Sequence, residues 1–150
     1  MNQPVYDEVI RDLLSLTPLI RRDIQRKLVK SAFTRVEHDI TLPHLEIIKT
    51  LHEEGSLHIA EIGEKLQIPK PQMTHLVDRL EKLGIISRKT DDNDRCITNL
   101  SLTEKGLQIN SELDETLYSS IREKLVNLSE EELQEISASL RKLSEILSKI

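Results

Sequence analysis

Along most of this chain hydrophobic residues return every three or four positions, the spacing that gathers one face of an α-helix. Val9, Leu13, Leu16, Ile20, Ile24 and Leu28 form the first such run, from Val5 to about Lys30. Pro18 lies inside it and lacks a backbone donor, so a kink or break is expected near Leu14–Thr17. Leu45, Ile48 and Leu51 predict a second helix over Leu42–Glu54, opened by Thr41 as N-cap and ended by Gly55. A short helix at roughly Ile59–Leu66 turns Ile62 and Leu66 inward. The tight connection "QIP" leads into Lys70–Leu83, whose buried face is Met73, Leu76, Val77 and Leu80, with Gly84 as C-cap.

The pattern then changes. Ile85–Thr90 and Ile97–Leu102 are β-prone, and the polar cluster "DDND" between them is a turn signal. Thr98, Leu100 and Leu102 fall on one face of the second run. Helical spacing resumes after Thr103 with Leu107, Asn110, Leu113, Leu117, Ile121 and Leu125. A last helix opens at "LSEEEL", where Ser129 and Glu132 fit a capping box and Leu128 with Leu133 a hydrophobic staple. Its stripe is Leu133, Ile136, Leu140, Leu143, Leu147 and Ile150. The expected fold is mainly α with a small β-hairpin. A short helix, a tight turn, a helix with polar outward residues and then a hairpin make a winged helix-turn-helix.

With 150 residues and neither a long linker nor an internal repeat, one domain is the simplest organisation. At 37% hydrophobic and 31% charged residues the chain is globular rather than disordered. No run reaches the roughly 18 apolar residues of a membrane span. The N-terminus carries acids where a signal peptide needs bases, and a single cysteine makes no intrachain disulfide, so a cytoplasmic location is expected. The net charge of −5 speaks at first against nucleic acid. Its distribution reverses that. Lys65 to Lys89 holds Lys65, Lys70, Arg79, Lys82, Arg88 and Lys89 against Asp78 and Glu81, a local +4 that leaves −9 elsewhere.

Once the core face of Lys70–Leu83 is assigned, Gln72, Thr74, His75, Arg79 and Lys82 point outward, with Lys70 and Pro71 in the first turn. Gln bonds adenine edges, Thr and His bond bases or phosphates, and Arg and Lys neutralise phosphate. The free N–H groups of a first turn also suit phosphate. A solvated helix face is the bland alternative; the short helix before, the hairpin after and the basic segment argue against it.

The segments "LPHLEIIKTL", "IAEIGEKL", "KPQMTHLVDRLEKLGIISRKT", "DDNDR" and "LSLTEKG" resemble, in order and spacing, the MarR family of transcriptional regulators. The resemblance is close over about Leu42–Gly106. It implies a homodimeric winged helix-turn-helix, with dimerisation helices in about 1–35 and 107–150 and a DNA-binding part in about 40–106. The helix at Lys70 would enter the major groove and the wing the minor groove of a pseudo-palindromic operator. Pro71, Gln72, Thr74 and His75 fall on groove-facing positions, and Arg79, Arg88 and Lys89 on backbone-contacting or wing positions. His75 stands where members often have Arg, and two further positions depart from the family. Cys96 stands where many members have a wing Arg, with Arg95 one residue early, and on a strand one step turns a side chain to the other face. Pro69 stands where a capping Ser or Thr is usual.

Other chemistries fit less well. Asp91–Asp94 fails the spacing of a calcium loop in either register, since Arg95 or Cys96 falls at position 5 and Leu102 or Thr103 at position 12. The acids read instead as turn formers, with Asp94 a candidate to orient a neighbouring Arg. The five histidines show no HxxxH or HExxH pattern, though zinc shared between His38, His44 and a late acid is conceivable for a metal-responsive relative. Cys96 as a thiol sensor would have Arg95 lowering its pKa and Asp94 opposing. No catalytic elbow, P-loop or dinucleotide motif occurs, so neither enzymatic activity nor a cofactor is expected. The function expected is a DNA-binding repressor released by a small-molecule effector, with Phe33 and Tyr118 the aromatic candidates for its pocket. The alternatives are a winged-helix protein-interaction module without DNA binding and a metal- or redox-responsive regulator.

Overall fold

The computed structural model describes residues 5–16, 26 and 40–150. The expected kink at Pro18, the stripe positions Ile20, Ile24 and Leu28, the aromatic Phe33 and the candidate ligand His38 lie outside the described residues. The elements are α1 (residues 5–16), α2 (Leu42–Glu54), β1 (Leu57–His58), α3 (Ile59–Leu66), α4 (Lys70–Lys82), β2 (Ile86–Thr90), β3 (Thr98–Leu102), α5 (Glu104–Leu125) and α6 (Glu130–Leu147). The chain separates into two compact units, Met1–Leu117 and Tyr118–Ile150. Among the described residues no helix is long and apolar enough to cross a membrane.

In the first unit the core is built by α2 to β3. Ile47, Ile48 and Leu51 of α2, Ile62 of α3, Met73, Val77 and Leu80 of α4, and Ile85, Ile86 and Leu100 of the hairpin are all almost completely buried. Ile109 of α5 joins them, whereas Leu107, expected inward, is 50% exposed. The helix therefore meets the core through Ile109, the buried Asn110 and the partly buried Leu113.

Local chemistry sets the boundaries. His44 reaches back from α2 so that its Nδ1 accepts the Thr41 backbone N–H at 3.0 Å, the role a Glu or Gln plays in most capping boxes. At the end of α4 the Gly84 N–H donates to the Glu81 carbonyl and the Ile85 N–H to the Leu80 carbonyl, with Gly84 at φ 73. This is a Schellman stop, and Leu80 and Ile85, both fully buried, supply its hydrophobic contact. Gln67 ends α3 in the same way at φ 54, a left-handed conformation that costs a non-glycine residue energy.

The sheet has the order β1-β3-β2, antiparallel throughout. The hairpin was legible in the sequence; β1 was not, and it pairs Leu57 with Leu100. Ile86 pairs with Leu102, Arg88 with Leu100 and Lys89 with Asn99. At the hairpin's base the Thr103 hydroxyl donates to the Gly84 carbonyl at 2.6 Å, and the same oxygen accepts the Gly106 N–H at 3.1 Å. Gly106 lies so close that an added Cβ would collide with the Ile85 carbonyl oxygen.

The second unit holds the end of α5, a turn and α6. Ser129 and Glu132 form both bonds of the predicted capping box, at 3.1 and 2.8 Å. Leu128 and Leu133, the predicted staple, line an apolar groove with Tyr118, Ile121 and Leu125. No residue of α6 is buried.

Candidate nucleic-acid interface

Helix α4 starts on Pro69 with no side chain capping its first turn. Proline supplies no hydroxyl to accept those N–H groups, so the positive end of the helix is open to solvent beside Lys70, Pro71 and Gln72, all exposed. The inward stripe is the predicted one, and it turns the remaining side chains to two flanks. Pro71, Gln72, His75 and Arg79 line an open groove together with His44 of α2. Lys70 and Thr74 lie on the other flank, beside Cys96 and Thr98 of the hairpin. The Thr74 hydroxyl donates to the Lys70 carbonyl at 3.1 Å, leaving its lone pairs outward as acceptors.

His44 was read as a candidate zinc ligand. Instead it is 5% exposed, caps α2 and sits near Arg79. Burial first, and the Arg79 charge second, hold its pKa below the usual histidine value. Among the described residues no three His, Cys, Asp or Glu side chains gather as a metal ion would require. The neutral ring accepts at Nδ1, which also lies 2.8 Å from the Thr41 hydroxyl oxygen, so its proton belongs on Nε2.

The wing tip is built by two aspartates. The Asp91 carboxylate accepts the Asn93 N–H at 2.8 Å, the Asp94 N–H at 3.3 Å and the Asn99 amide at 3.3 Å. These bonds, the Asn93 one foremost, hold its pKa below the usual value. Asp94 was expected to orient an arginine; its carboxylate accepts the Cys96 N–H at 2.9 Å. Strand alternation does not govern Arg95 and Cys96, because β3 begins at Thr98 and both residues lie in the turn. Arg95 is exposed at the tip, while Cys96 lines an open cleft of about 600 Å³ with Ile59, Gly63, Met73, Thr74 and Thr98.

The two basic residues of β2 part company. Residues directly opposed in an antiparallel pair project to the same face. Arg88 opposes the buried Leu100 and so faces the body of the fold, whereas Lys89 opposes Asn99 on the outer face. The Arg88 guanidinium donates to Asp78 at 2.6 Å and to Glu81 at 3.1 Å, both on α4. Sequence reasoning counted these two acids only against the basic balance. An acid pair three apart on one helix, followed by an Arg on the next strand, was the available signal.

The MarR family model matches residues 40–97. An uncharacterised HTH-type transcriptional regulator of Bacillus subtilis, YfiV, is 32% identical over 109 residues, 73% of this chain and 68% of its own. The HTH-type transcriptional repressor MdtR of the same organism is 32% identical over 101 residues, covering 67% of this chain and 63% of its own. Among solved structures, a MarR family protein from Bacillus stearothermophilus superposes with a TM-score of 0.77 at 27% identity, covering 99% of both chains.

Proposed function

The chain belongs to the MarR family of transcriptional regulators, and on that premise we propose that it is a homodimeric, ligand-responsive repressor binding a pseudo-palindromic operator. It is a regulator and not an enzyme, as its relatives are. In this reading α4 lies in the major groove and the β2–β3 wing reaches the minor groove. The observation that carries it is the open first turn of α4. The Lys70 and Gln72 backbone N–H groups (Pro71 has none) and the Lys70 side chain meet phosphate there, Pro71, Gln72, Thr74 and His75 meet base edges, and Arg79 flanks them toward the backbone. Lys89 and Arg95 are the wing's outward cations.

The dimer is supported by apolar surface at both chain ends. Val5, Val9, Ile10 and Leu14 of α1 are at least half exposed, as is Leu140 of α6. Such stripes call for a partner surface. The ligand response is supported by the cleft behind α4, whose size suits a small molecule. A ligand there acts only by binding the DNA-competent and incompetent conformations with different affinity. Repression follows the similar MdtR, a transcriptional repressor, by analogy, and a cytoplasmic setting goes with the regulator family. Against these stands the protein-interaction module, which the acidic wing tip favours.

Selection of duplexes from a randomised pool tests the reading. A pseudo-palindrome with half-sites about 10 bp apart is expected, its affinity falling steeply with salt, by about 0.9 log units per log unit for each phosphate neutralised. Failure to recover any duplex at low salt would overturn it.

A further inference from the structure

Arg88 is the residue of β2 whose side chain bonds α4. Ile86 is buried, but residues 87–90 are exposed and 92–96 form the exposed tip. β1 pairs with Leu100 and Asn99 of β3 but with no residue of β2, so beyond Ile86 the direction of β2 is set by its ladder to β3 and by the contact of Arg88 with α4. At this point the guanidinium spans two carboxylates of α4, Asp78 and Glu81, one helical turn apart, and keeps only 33% of its side chain exposed. Nε and Nη2 are both used, a fork that lysine cannot reproduce. The three groups sum to −1, so a phosphate approaching Arg88 would meet no net positive charge.

We propose that Arg88 is a positioning residue that latches the wing to the recognition helix, fixing the angle at which α4 and the wing present themselves together to DNA. The inference rests on the DNA-binding reading for its consequence, and on geometry alone for the latch. Asp78 and Glu81 are then part of the DNA-binding apparatus although they carry the wrong charge to touch DNA. This inverts the electrostatic expectation. Removing two carboxylates from a DNA-facing helix should strengthen binding by reduced repulsion; removing two halves of a latch should weaken it.

The test compares wild type with Arg88→Gln, Arg88→Lys, the double variant Asp78→Asn/Glu81→Gln and the triple combination. Amide exchange is read first, without DNA. Arg88→Gln and the double variant are expected to speed exchange across β2 and β3 several-fold while α2 stays unchanged, and unchanged wing exchange overturns the latch. Affinity for a duplex selected by the wild type is read next. Arg88→Gln and the double variant should each bind about fivefold more weakly, the scale of a well-formed surface ion-pair network. The triple should be no weaker than either, since it removes the same interaction. Arg88→Lys should restore binding only in part, and the salt slope should stay that of wild type. Tighter binding by the double variant, or a slope reduced by about one unit in Arg88→Gln, identifies Arg88 as a phosphate contact and refutes the proposal. If the wild type binds no duplex, the DNA reading fails and the exchange measurement still decides the latch.

Discussion

His44 places a titratable ring where most capping boxes carry a carboxylate or amide, and the start of α2 is thereby made sensitive to protons. Its folded pKa lies below 6.5, through burial and then the charge of Arg79. The unfolded chain therefore binds a proton that the folded chain refuses. The contribution is fully present above pH 6.5 and falls as the pH drops from there to the depressed folded value, below which it levels off. Denaturant midpoints measured from about pH 7.5 to 5 should decline in the wild type and decline less in His44→Gln, which keeps an acceptor but does not titrate. Equal slopes would remove His44 from the account. Gly106 is the other residue whose identity geometry dictates. Gly106→Ala drives a methyl into the Ile85 carbonyl at the junction of α4, β2 and α5. A loss of roughly 1–3 kcal/mol in urea unfolding is expected.

At the scale of elements, legibility followed local chemistry. The ends of α2, α3 and α4 were readable because caps, glycines and prolines mark them within three or four residues. β1 escaped because two residues are too short to show alternation, and it exists only by pairing with β3, more than forty positions on. The stripe of α5 was misplaced at Leu107 because apolar residues stand on more than one face of that helix, and Ile109 is the one the core takes. The candidate interface divides likewise. The outward face of α4 follows from the inward one, so Lys70, Pro71, Gln72, Thr74 and His75 are all exposed as the pattern required. Arg88 could not be placed that way, because its partners lie seven and ten residues earlier on another element. The turn between α3 and α4 stores backbone strain at one residue. Gln67 stands left-handed, which costs a non-glycine residue roughly 1–2 kcal/mol, and glycine returns part of that through its freer unfolded chain. Gln67→Gly should raise stability by about 0.5–1 kcal/mol in urea unfolding, with unchanged DNA affinity. A loss of stability would mean that the side chain contributes more beside the cleft than the backbone strain costs.

At the scale of the molecule, the −9 outside the basic segment and the apolar stripe of α6 pose one question. A helix of 18 residues with none buried is marginal in water on its own. Its apolar positions nonetheless repeat with the regularity of a packed face: Leu133 37% exposed, Ile136 39%, Leu140 57% and Leu147 40%. A second copy of the chain is the partner the proposed function requires, and Leu140, the most exposed of the four, is the place to disturb it. An aspartate there puts an unpaired carboxylate in the middle of the apolar face, which a dimer interface tolerates poorly. Leu140→Asp should sediment as a monomer at concentrations where the wild type is a dimer. Because a monomer engages one half-site, its affinity for the selected duplex should collapse and its salt slope should fall to about half. The acidic surface elsewhere makes the halving informative, since it adds no phosphate contacts of its own. If Leu140→Asp remains dimeric, the interface lies on other surfaces; if the wild type is itself a monomer that binds a single half-site, the two-fold reading of the operator falls with it.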